Sequence, residues 1–473
     1  MLTNYNVKKI HEYSMRIVEK TGMKFHHPEA VEMLKAHGIR MEGNVAHFTE
    51  EQLMYWVRKA PHSFSLYGRN PEHTIEIGGD VINCAPSYGS PLIVRQDGTR
   101  YSAKMEDYIK FTKLYHNNDN FHVNGGVICQ PSDVPVENAS LLMFYAAYTH
   151  SDKCMMTGAG DRKQLEALFE MAMAAYGSKE ELIAHPRLLT IVNTNTQMQL
   201  DINMTETLMT FAEYGQPFVV ASAAMAGSTA PITLAATIAL TNAEVLCAIA
   251  LAQMVRPGTP VLYASQSTTA DMRNGAIAIG SPEGALCYKY CAKLAKFYGL
   301  PCRGGGALSD AKIMNTQAGY ESMITYMACC QNNINFIIHS AGILDGYTCM
   351  SYEKLIADFQ IIDYVNRYLR DIEVNEETIP VDLIDEIGHS GQYLTEEHTF
   401  EFCRKEPLTP FLSVRGNVEH PEDQFERIIA NVLEKSLRNY QRPGTDGEII
   451  NKMRDVLINR GVEKALIDSI EQA

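Results

Sequence analysis

Eight short apolar runs, alternating with segments of helical spacing, constrain the fold of this chain more than any other feature. The runs lie near residues 81–85, 121–128, 153–158, 188–195, 218–225, 261–266, 301–306 and 336–341. Each is apolar throughout instead of alternating, which is typical of strands buried on both faces of a parallel sheet. Eight even strand–helix repeats predict an α/β fold, and they favour a (β/α)8 TIM barrel over a doubly wound sheet.

The repeats cover residues 81–370, which we expect to form the barrel. Residues 1–80 are predicted to form an α+β cap, with helices over 5–21 and 50–59 and a hairpin over 39–48. Residues 371–473 are acidic at first and then helical. We expect them to form a C-terminal helical extension that packs on the barrel.

Composition excludes several classes of protein. Of the 473 residues, 46% are hydrophobic and 21% are charged, which excludes wholesale disorder. The net charge of −15 argues against nucleic acid or an anionic membrane as a partner. We find no uninterrupted apolar stretch near the roughly 18 residues that a membrane helix needs, and no secretory signal. We therefore expect a soluble, cytoplasmic protein, in which the eleven cysteines are mostly buried, reduced thiols.

The residues that follow the predicted strands should line the site, because a barrel places its active site at the carboxyl ends of its strands. They are amides, hydroxyls and glycines, with few carboxylate pairs and no Cys, His and Asp triad for a metal. Only His339 and Asp310 are obvious titratable candidates. Glycines 304–306 resemble a phosphate loop only weakly, and we interpret them as leaving room for a large ligand.

Several ordered motifs resemble one known family. They are Arg303-Gly-Gly-Gly-Ala-Leu-Ser-Asp-Ala-Lys312, Gln317-Ala-Gly-Tyr-Glu321, Ile338-His-Ser-Ala-Gly-Ile-Leu-Asp345, Ser351-Tyr-Glu-Lys-Leu355 and Gly391-Gln-Tyr-Leu-Thr-Glu-Glu-His-Thr399, with Ile10-His-Glu and Glu19-Lys-Thr-Gly22 near the start. Together they resemble the trimethylamine methyltransferase family, the corrinoid-dependent methyltransferases of methylotrophic archaea and anaerobic bacteria. The resemblance spans nearly the whole chain.

The resemblance implies a barrel that moves a methyl group from an amine to the Co(I) of cob(I)alamin on a separate corrinoid protein, with no tightly bound cofactor. Archaeal trimethylamine enzymes carry pyrrolysine near the end of a late strand, which matches a position within residues 303–312. This sequence has only ordinary residues there. Family members without pyrrolysine demethylate quaternary amines, so the resemblance implies a betaine-type substrate such as glycine betaine, proline betaine or carnitine.

The chemistry of a quaternary amine explains the shortage of acids and bases. The departing tertiary amine is neutral and needs no proton, so the enzyme has to bind a cation and aim one methyl group. Aromatic faces suit this cation, and an arginine suits a betaine carboxylate. We expect substrate contacts from Tyr88, Asn195, Gln197, Gln266, Arg303, Tyr347 and Tyr393, with Arg415 as the alternative arginine, and positioning by Gly304, Gly305, Asp310 and His339.

Two alternatives stay open at this stage. One is demethylation of trimethylamine with another residue in place of pyrrolysine. The other is a barrel that binds betaines without turnover. In each case we expect a homo-oligomer, and we predict no metal site within the chain.

Overall fold

The first part of the chain forms a cap of helices and short strands in the computed structural model, which describes residues 2–417 and 421–473. Its elements are α1 (Leu2–Lys20), β1 (Met23–Phe25), α2 (Pro28–Ala36), β2 (Arg40–Glu42), β3 (Val45–His47), α3 (Glu50–Val57), β4 (Ser63–Leu66) and β5 (Ile75–Gly78). The predicted helices and hairpin are present as α1, α3 and β2–β3. Thr49 begins α3 with a capping box, in which its side chain accepts from the Gln52 N–H and the Gln52 side chain accepts from the Thr49 N–H.

Strands and helices then alternate through the central part of the chain. The elements are β6 (Asn83–Cys84), β7 (Leu92–Val94), β8 (Arg100–Ser102), α4 (Met105–His116), β9 (Val123–Gly125), α5 (Ala139–His150), β10 (Cys154–Met156), α6 (Arg162–Tyr176), α7 (Lys179–Ala184), β11 (Leu188–Asn193), β12 (Gln199–Leu200), α8 (Ile202–Glu213), β13 (Phe218–Ser222), β14 (Met225–Ala226), α9 (Leu234–Val255), β15 (Val261–Ser265), β16 (Thr268–Ala270), β17 (Ile277–Ala278), α10 (Pro282–Tyr298), β18 (Cys302–Gly305), α11 (Thr316–Gln331), β19 (Phe336–Ile338), β20 (Ile343–Leu344), β21 (Cys349–Met350) and α12 (Tyr352–Leu369). The long strands and helices follow the predicted rhythm.

Eight of these strands form one parallel sheet in the order β6-β19-β18-β15-β13-β11-β10-β9. The sheet closes on itself, because Cys84 of β6 forms a parallel bridge with Phe121 just before β9. The His122 N–H donates to the Cys84 carbonyl at 3.0 Å across this junction. The predicted (β/α)8 barrel is therefore confirmed, and all eight predicted runs supply its strands.

The interior of the barrel is filled by alternate residues of these strands, among them Val123, Leu189, Val219 and Leu262. The hairpin β4–β5 from the cap belongs to the same buried cluster, through Phe64, Leu66, Ile75 and Ile77. The Cys154 thiol, at the first residue of β10, contacts the Leu66 carbonyl with an S–O distance of 3.0 Å. The hairpin thus closes the end of the barrel at which the strands begin, and the opposite end carries the loops.

Helix α9 is apolar almost all round. By length and composition it is the one helix in the described residues that reaches the size of a membrane span, but 78% of its most apolar window is buried inside the protein. It packs between α1 and α3 of the cap and the strands β13 and β15. A helix that is covered on all sides by protein needs this composition without any membrane.

The extension contains α13 (Val381–Ile387), α14 (Glu397–Phe402), α15 (Pro421–Arg438), α16 (Gly447–Asn459) and α17 (Lys464–Gln472). Helices α15, α16 and α17 pack on the barrel helices α4, α5, α6 and α12. The Tyr440 hydroxyl, which follows α15, donates to the His150 carbonyl at 2.8 Å and helps to fix this part. Residues 371–402 differ, because none of them is buried.

Candidate active site

Arg303 lies inside the barrel. In the sheet it is paired with Ala264 on one side and with Phe336 on the other, and both of these residues belong to the interior cluster. Ala264 is in turn paired with Ala221. Two small neighbours on that side leave the volume that the long arginine side chain occupies, and Arg303 is only 2% exposed.

Among the residues that the structure describes, the guanidinium of Arg303 has no charged partner. Its Nη1 donates to the side-chain oxygen of Gln266, and its Nε is buried without a hydrogen bond. In the described part of the chain no carboxylate forms an ion pair with it, and the side chains with the largest effect on its pKa are tyrosines and cysteines. Burial accordingly lowers the pKa of Arg303. A buried charge without a counter-ion is costly, so this position favours an anionic ligand.

Gln266, which follows β15, connects Arg303 to two tyrosines. Its Nε2 donates to the Tyr288 hydroxyl at 2.8 Å and also to the Tyr347 hydroxyl. Tyr347 has a left-handed backbone with φ of 74°, and the Ser90 hydroxyl donates to its carbonyl at 2.8 Å. Burial raises the pKa of Tyr347 above its ordinary value, so its hydroxyl stays protonated at neutral pH.

His339, just after β19, is held as a neutral imidazole. Its Nδ1 accepts a hydrogen bond from the Tyr88 N–H at 3.1 Å, so the ring proton lies on Nε2. Burial and the positive charge of Arg303 lower the pKa of His339 well below its usual range. The ring contacts that of Tyr347 at a centroid distance of 5.0 Å. The structure therefore brings His339, Tyr347, Gln266 and Arg303 together at the mouth of the barrel.

Tyr88 follows β6 and packs against the interior cluster. Its hydroxyl donates to the Thr157 carbonyl at 3.2 Å, and burial raises its pKa to about 12. Asn193 and Ala223, at the ends of β11 and β13, are exposed. The mouth is thus bounded by aromatic side chains on the β6 and β19 side and is open on the β11 and β13 side.

Asp310 organises a neighbouring loop. Its carboxylate accepts hydrogen bonds from the N–H groups of Ile279 at 3.1 Å and Gly280 at 2.9 Å, and burial raises its pKa. Its charge also acts on Tyr347, which places it close to the cluster. The side chain thus fixes the segment that leads into α10, and it contributes negative potential beside the mouth.

The glycines 304–306, at the end of β18 and just after it, do not border open space, which corrects our interpretation that they leave room for a ligand. A Cβ at Gly304 would lie 3.2 Å from the Cys329 sulfur, and one at Gly305 would lie 2.4 Å from the Tyr288 hydroxyl. At Gly306 a Cβ would meet the backbone of Ser340 at 2.5 Å. These glycines allow the chain to pack against protein atoms, so a bulky residue at Gly305 would displace Tyr288 and disturb the fold as well.

The structure does not bring four of the candidate residues to the cluster. Asn195 and Gln197 lie in the loop that leads to β12, which pairs with β1 of the cap. Asn195 accepts from the Asp201 N–H at 2.9 Å, and Gln197 faces a groove beside α1. Tyr393 is 43% exposed in the extension, and Arg415 lines a cleft at the end of α12, away from the mouth.

Tyr288 is the member of the cluster that the sequence did not reveal. It lies on α10 and not at a strand end, and it is fully buried. Only its hydroxyl, in contact with Gln266, reaches the mouth. An inventory of strand ends does not include a helix residue of this kind, and Tyr288 shows no other signal in the sequence.

The described residues contain no group of three His, Cys, Asp or Glu side chains that is arranged to hold a metal ion. Ten of the eleven cysteines are buried, all eleven are free thiols, and Cys403 is exposed. The cluster around Arg303 therefore offers hydrogen bonds, a positive charge and aromatic faces. Such a set of groups is chemically suited to a small ion that carries both charges.

Comparison with known proteins gives a match over nearly the full length. Residues 1–465 match the family described as trimethylamine methyltransferase (MTTB). The chain belongs to the trimethylamine methyltransferase family. The expected class of enzyme, a methyltransferase, is thereby confirmed.

Similar proteins are named for different amines. The glycine betaine methyltransferase of Desulfitobacterium hafniense (strain Y51) is 40% identical over 467 residues, which cover 98% of this chain and 97% of the relative. The proline betaine:corrinoid methyltransferase of Eubacterium limosum is 28% identical, covering 94% and 95%. The trimethylamine methyltransferase of Methanosarcina thermophila is 29% identical, covering 96% of both. The solved monomethylamine methyltransferase of Methanosarcina barkeri aligns with 91% of this chain and 98% of its own, with a TM-score of 0.49 and 10% identity.

Proposed function

We propose that this methyltransferase moves a methyl group from a betaine, a quaternary amine with a carboxylate, to the Co(I) of a corrinoid on a separate protein. The observation that carries the proposal is the buried guanidinium of Arg303, which has no carboxylate partner in the described residues. A betaine carboxylate would supply that missing charge with a charge-assisted hydrogen bond. The names of the betaine methyltransferases that this chain resembles agree with this substrate class.

The anionic end of the substrate is placed by Arg303 and His339 in this proposal. Arg303 supplies the positive charge, and its Nε is free to donate. His339 supplies an N–H donor at Nε2, because its Nδ1 already accepts from the Tyr88 backbone. Both groups stay in these protonation states at neutral pH, since an arginine remains charged and burial keeps His339 neutral.

The cationic end is placed by the aromatic rings beside them. In glycine betaine a single carbon separates the carboxylate from the ammonium, so the cation has to bind close to Arg303. Tyr347 is connected to Arg303 through Gln266 and contacts His339. Tyr88 adjoins His339 through the hydrogen bond from its backbone N–H to Nδ1. Faces of neutral tyrosine rings attract a quaternary ammonium by about 0.5–2 kcal/mol each.

The reaction asks little acid–base work of the chain. A corrinoid in the Co(I) state supplies the nucleophile that takes the methyl group. The tertiary amine that leaves is neutral, so no residue has to donate a proton to it. What the chain supplies is orientation, by holding both ends of the betaine so that one N–methyl bond points to the open side of the mouth near Asn193 and Ala223.

A substrate panel tests the proposal. Glycine betaine, proline betaine, carnitine, choline and trimethylamine are each offered with free cob(I)alamin, and methyl transfer is followed in its visible spectrum and by mass detection of the demethylated amine. We expect turnover with one or more of the carboxylate-bearing quaternary amines. Dimethylamine formed from trimethylamine would instead support trimethylamine demethylation, and binding without any transfer would support a non-catalytic barrel.

Replacement of Arg303 sharpens the test. In Arg303→Met the loss of a hydrogen bond to a charged group costs roughly 1.5–3 kcal/mol. That loss is about ten- to a hundredfold in affinity for a carboxylate-bearing substrate, and choline, which has no carboxylate, should lose far less. Arg100→Met is a matched control, because Arg100 is paired with Asp345 at 2.6 Å and needs no ligand. Equal losses for betaines and choline would contradict the proposal.

A further inference from the structure

Residues 371–402, the acidic arm, are built for contact with another surface. They contain ten Asp or Glu and no Lys or Arg. They form the helices α13 and α14, yet no residue among them is buried. Ordered backbone costs conformational entropy that buried apolar area normally offsets, so an ordered arm without buried residues lacks its main source of stability.

The arm also exposes large apolar side chains. They are Ile372, Val374, Ile379, Val381, Ile384, Tyr393, Leu394 and Phe400, and their exposed fractions run from 43% to 83%. Scattered exposed apolar residues are ordinary, but eight within one short acidic segment mark a surface that binds protein. The surface that covers the arm has to combine apolar area with positive charge.

A groove of that character lies elsewhere on the same chain, and no residue of the arm lines it. The basic groove runs between α1, α9 and α10 and has a volume of about 1370 Å³. Its walls are mostly apolar, with Tyr13 and Leu286 at its exposed edge. Lys9, Arg16 and Lys20 line it from one face of α1, and no Asp or Glu is found among its described lining residues.

Two of these cations are available for a partner. Arg16 and Lys20 have no carboxylate within ion-pair distance among the described residues, whereas Lys9 is paired with Glu12 at 2.6 Å. A cluster of basic groups is unusual on a chain whose net charge is −15. Charge of this sign steers an acidic partner to the groove and selects its orientation.

We propose that the acidic arm of one subunit docks in the basic groove of a second copy of the same chain. The groove supplies apolar walls and cations, and the arm supplies exposed apolar side chains and carboxylates. The pairing does not form within one chain, because no arm residue lines its own groove, and the segment that follows the arm is tied to α12 through the Arg367–Glu406 ion pair. The two surfaces thus make a self-complementary pair that holds subunits together.

The molar mass in solution tests this interface in the full chain. We expect the wild type to sediment at a multiple of the 52.8 kDa chain mass. The groove variant Arg16→Glu/Lys20→Glu and the arm variant Asp382→Lys/Asp385→Lys should each weaken assembly at least tenfold. The variant with all four substitutions should associate at least tenfold more tightly than either double variant, because the two surfaces then carry exchanged charges. Lys163→Glu/Lys464→Glu, on exposed lysines outside both surfaces, is the matched control.

Three outcomes would overturn the interface: a wild type of 52.8 kDa at micromolar concentration, variants with the wild-type mass, or no recovery in the fourfold variant. If the groove variant loses only its binding of a corrinoid protein and keeps its mass, the groove belongs to that partner instead. Circular dichroism checks that each variant is folded. If the groove variant is not folded, the molar mass of the arm variant alone tests the interface. The molar mass is measured independently of methyl transfer, so a failure of this interface would not contradict the proposed function.

Discussion

Arg303 donates to the side-chain oxygen of Gln266, a neutral amide, at the place where a buried arginine would ordinarily meet a carboxylate. The amide satisfies one N–H group and leaves the positive charge uncompensated. The same amide donates to Tyr288 and Tyr347, which fixes its orientation. A substrate carboxylate would therefore compete with no carboxylate of the described residues for this guanidinium.

A carboxylate at position 266 should remove that advantage. In Gln266→Glu the new side chain pairs with Arg303 from within, and the two tyrosine hydroxyls can donate to it. We expect the apparent affinity for betaines to fall at least tenfold while thermal stability is retained or increased. Calorimetric titration with glycine betaine and a melting curve measure both effects, and unchanged affinity would show that Arg303 does not bind the carboxylate.

The rate should be nearly independent of pH between pH 6 and 8. The pKa of His339 is lowered well below its ordinary value near 6.5, so the ring is neutral over this whole range and keeps accepting from the Tyr88 N–H. A quaternary ammonium does not titrate, and His389 and His398 lie in the acidic arm. A pH profile of kcat/KM with a quaternary substrate measures this, and a more than threefold change would contradict it.

The lowered pKa of His339 also makes the folded protein less stable as the pH falls. A histidine whose pKa is lowered by folding binds protons more weakly in the folded than in the unfolded state. Its stabilising effect is complete above pH 6.5 and is lost as the pH falls below that value. His116 and His150, whose pKa values burial lowers to about 4, act in the same direction.

The aromatic ring of Tyr347 should matter more than its hydroxyl for the cation. Tyr347→Leu removes a face worth about 0.5–2 kcal/mol, roughly two- to thirtyfold in affinity, whereas Tyr347→Phe keeps the face and loses the hydrogen bond from Gln266. We expect Tyr347→Leu to lower the affinities for glycine betaine and choline equally, whereas Arg303→Met should lower mainly the affinity for glycine betaine. Equal effects of Phe and Leu would assign the contribution to the hydroxyl instead.

A buried ion pair within α12 should contribute strongly to the stability of the fold. Lys354 and Asp358 are both fully buried and form an ion pair, and Asp358 also accepts from the Gly342 N–H at 2.7 Å. Asp358→Asn leaves the lysine charge unpaired and should cost roughly 3–5 kcal/mol of unfolding free energy. Denaturant titration measures it, with Glu106→Gln in the exposed pair to Lys110 as the control, where we expect at most about 1 kcal/mol.

Methyl transfer should survive exhaustive treatment of the chain with a chelator. The leaving amine is neutral, so no Lewis acid is needed to stabilise it. The assay uses free cob(I)alamin as acceptor before and after treatment. Loss of activity that zinc alone restores would point to a metal-dependent methyl transfer and would require a different site.

The barrel could be predicted from the sequence because its signal is local and repeated. An apolar run followed by an amphipathic helix needs no knowledge of distant partners, and eight such units leave few alternatives. Gln266 and His339 directly follow strands, Arg303 lies within β18, and Tyr347 lies in the segment after β19, so an inventory of the barrel strands and the loops after them includes all four. Asn195 and Gln197 follow a strand end as well, but the chain there turns to pair with the cap.

That pairing shows the limit of sequence reasoning. β12 joins β1, which lies far away in the chain, and nothing in the local pattern indicates it. The position of the C-terminal extension on the barrel also depends on contacts with distant segments. Tyr393 and Arg415 could therefore not be assigned to either end of the barrel from the sequence. Contacts between distant segments decide both cases, and a single sequence does not display them.

The hairpin that fills the lower end of the barrel would set the order of binding in the proposed reaction. Because Phe64, Leu66, Ile75 and Ile77 fill that end, the proposed reaction would use the opposite end, the mouth, for the amine, its demethylated product and the methyl acceptor. A bulky acceptor bound at the mouth blocks exchange of the amine behind it. The amine therefore has to bind before the acceptor, and its demethylated product has to leave after it. An excess of tightly bound acceptor should slow turnover, because it blocks release of that product.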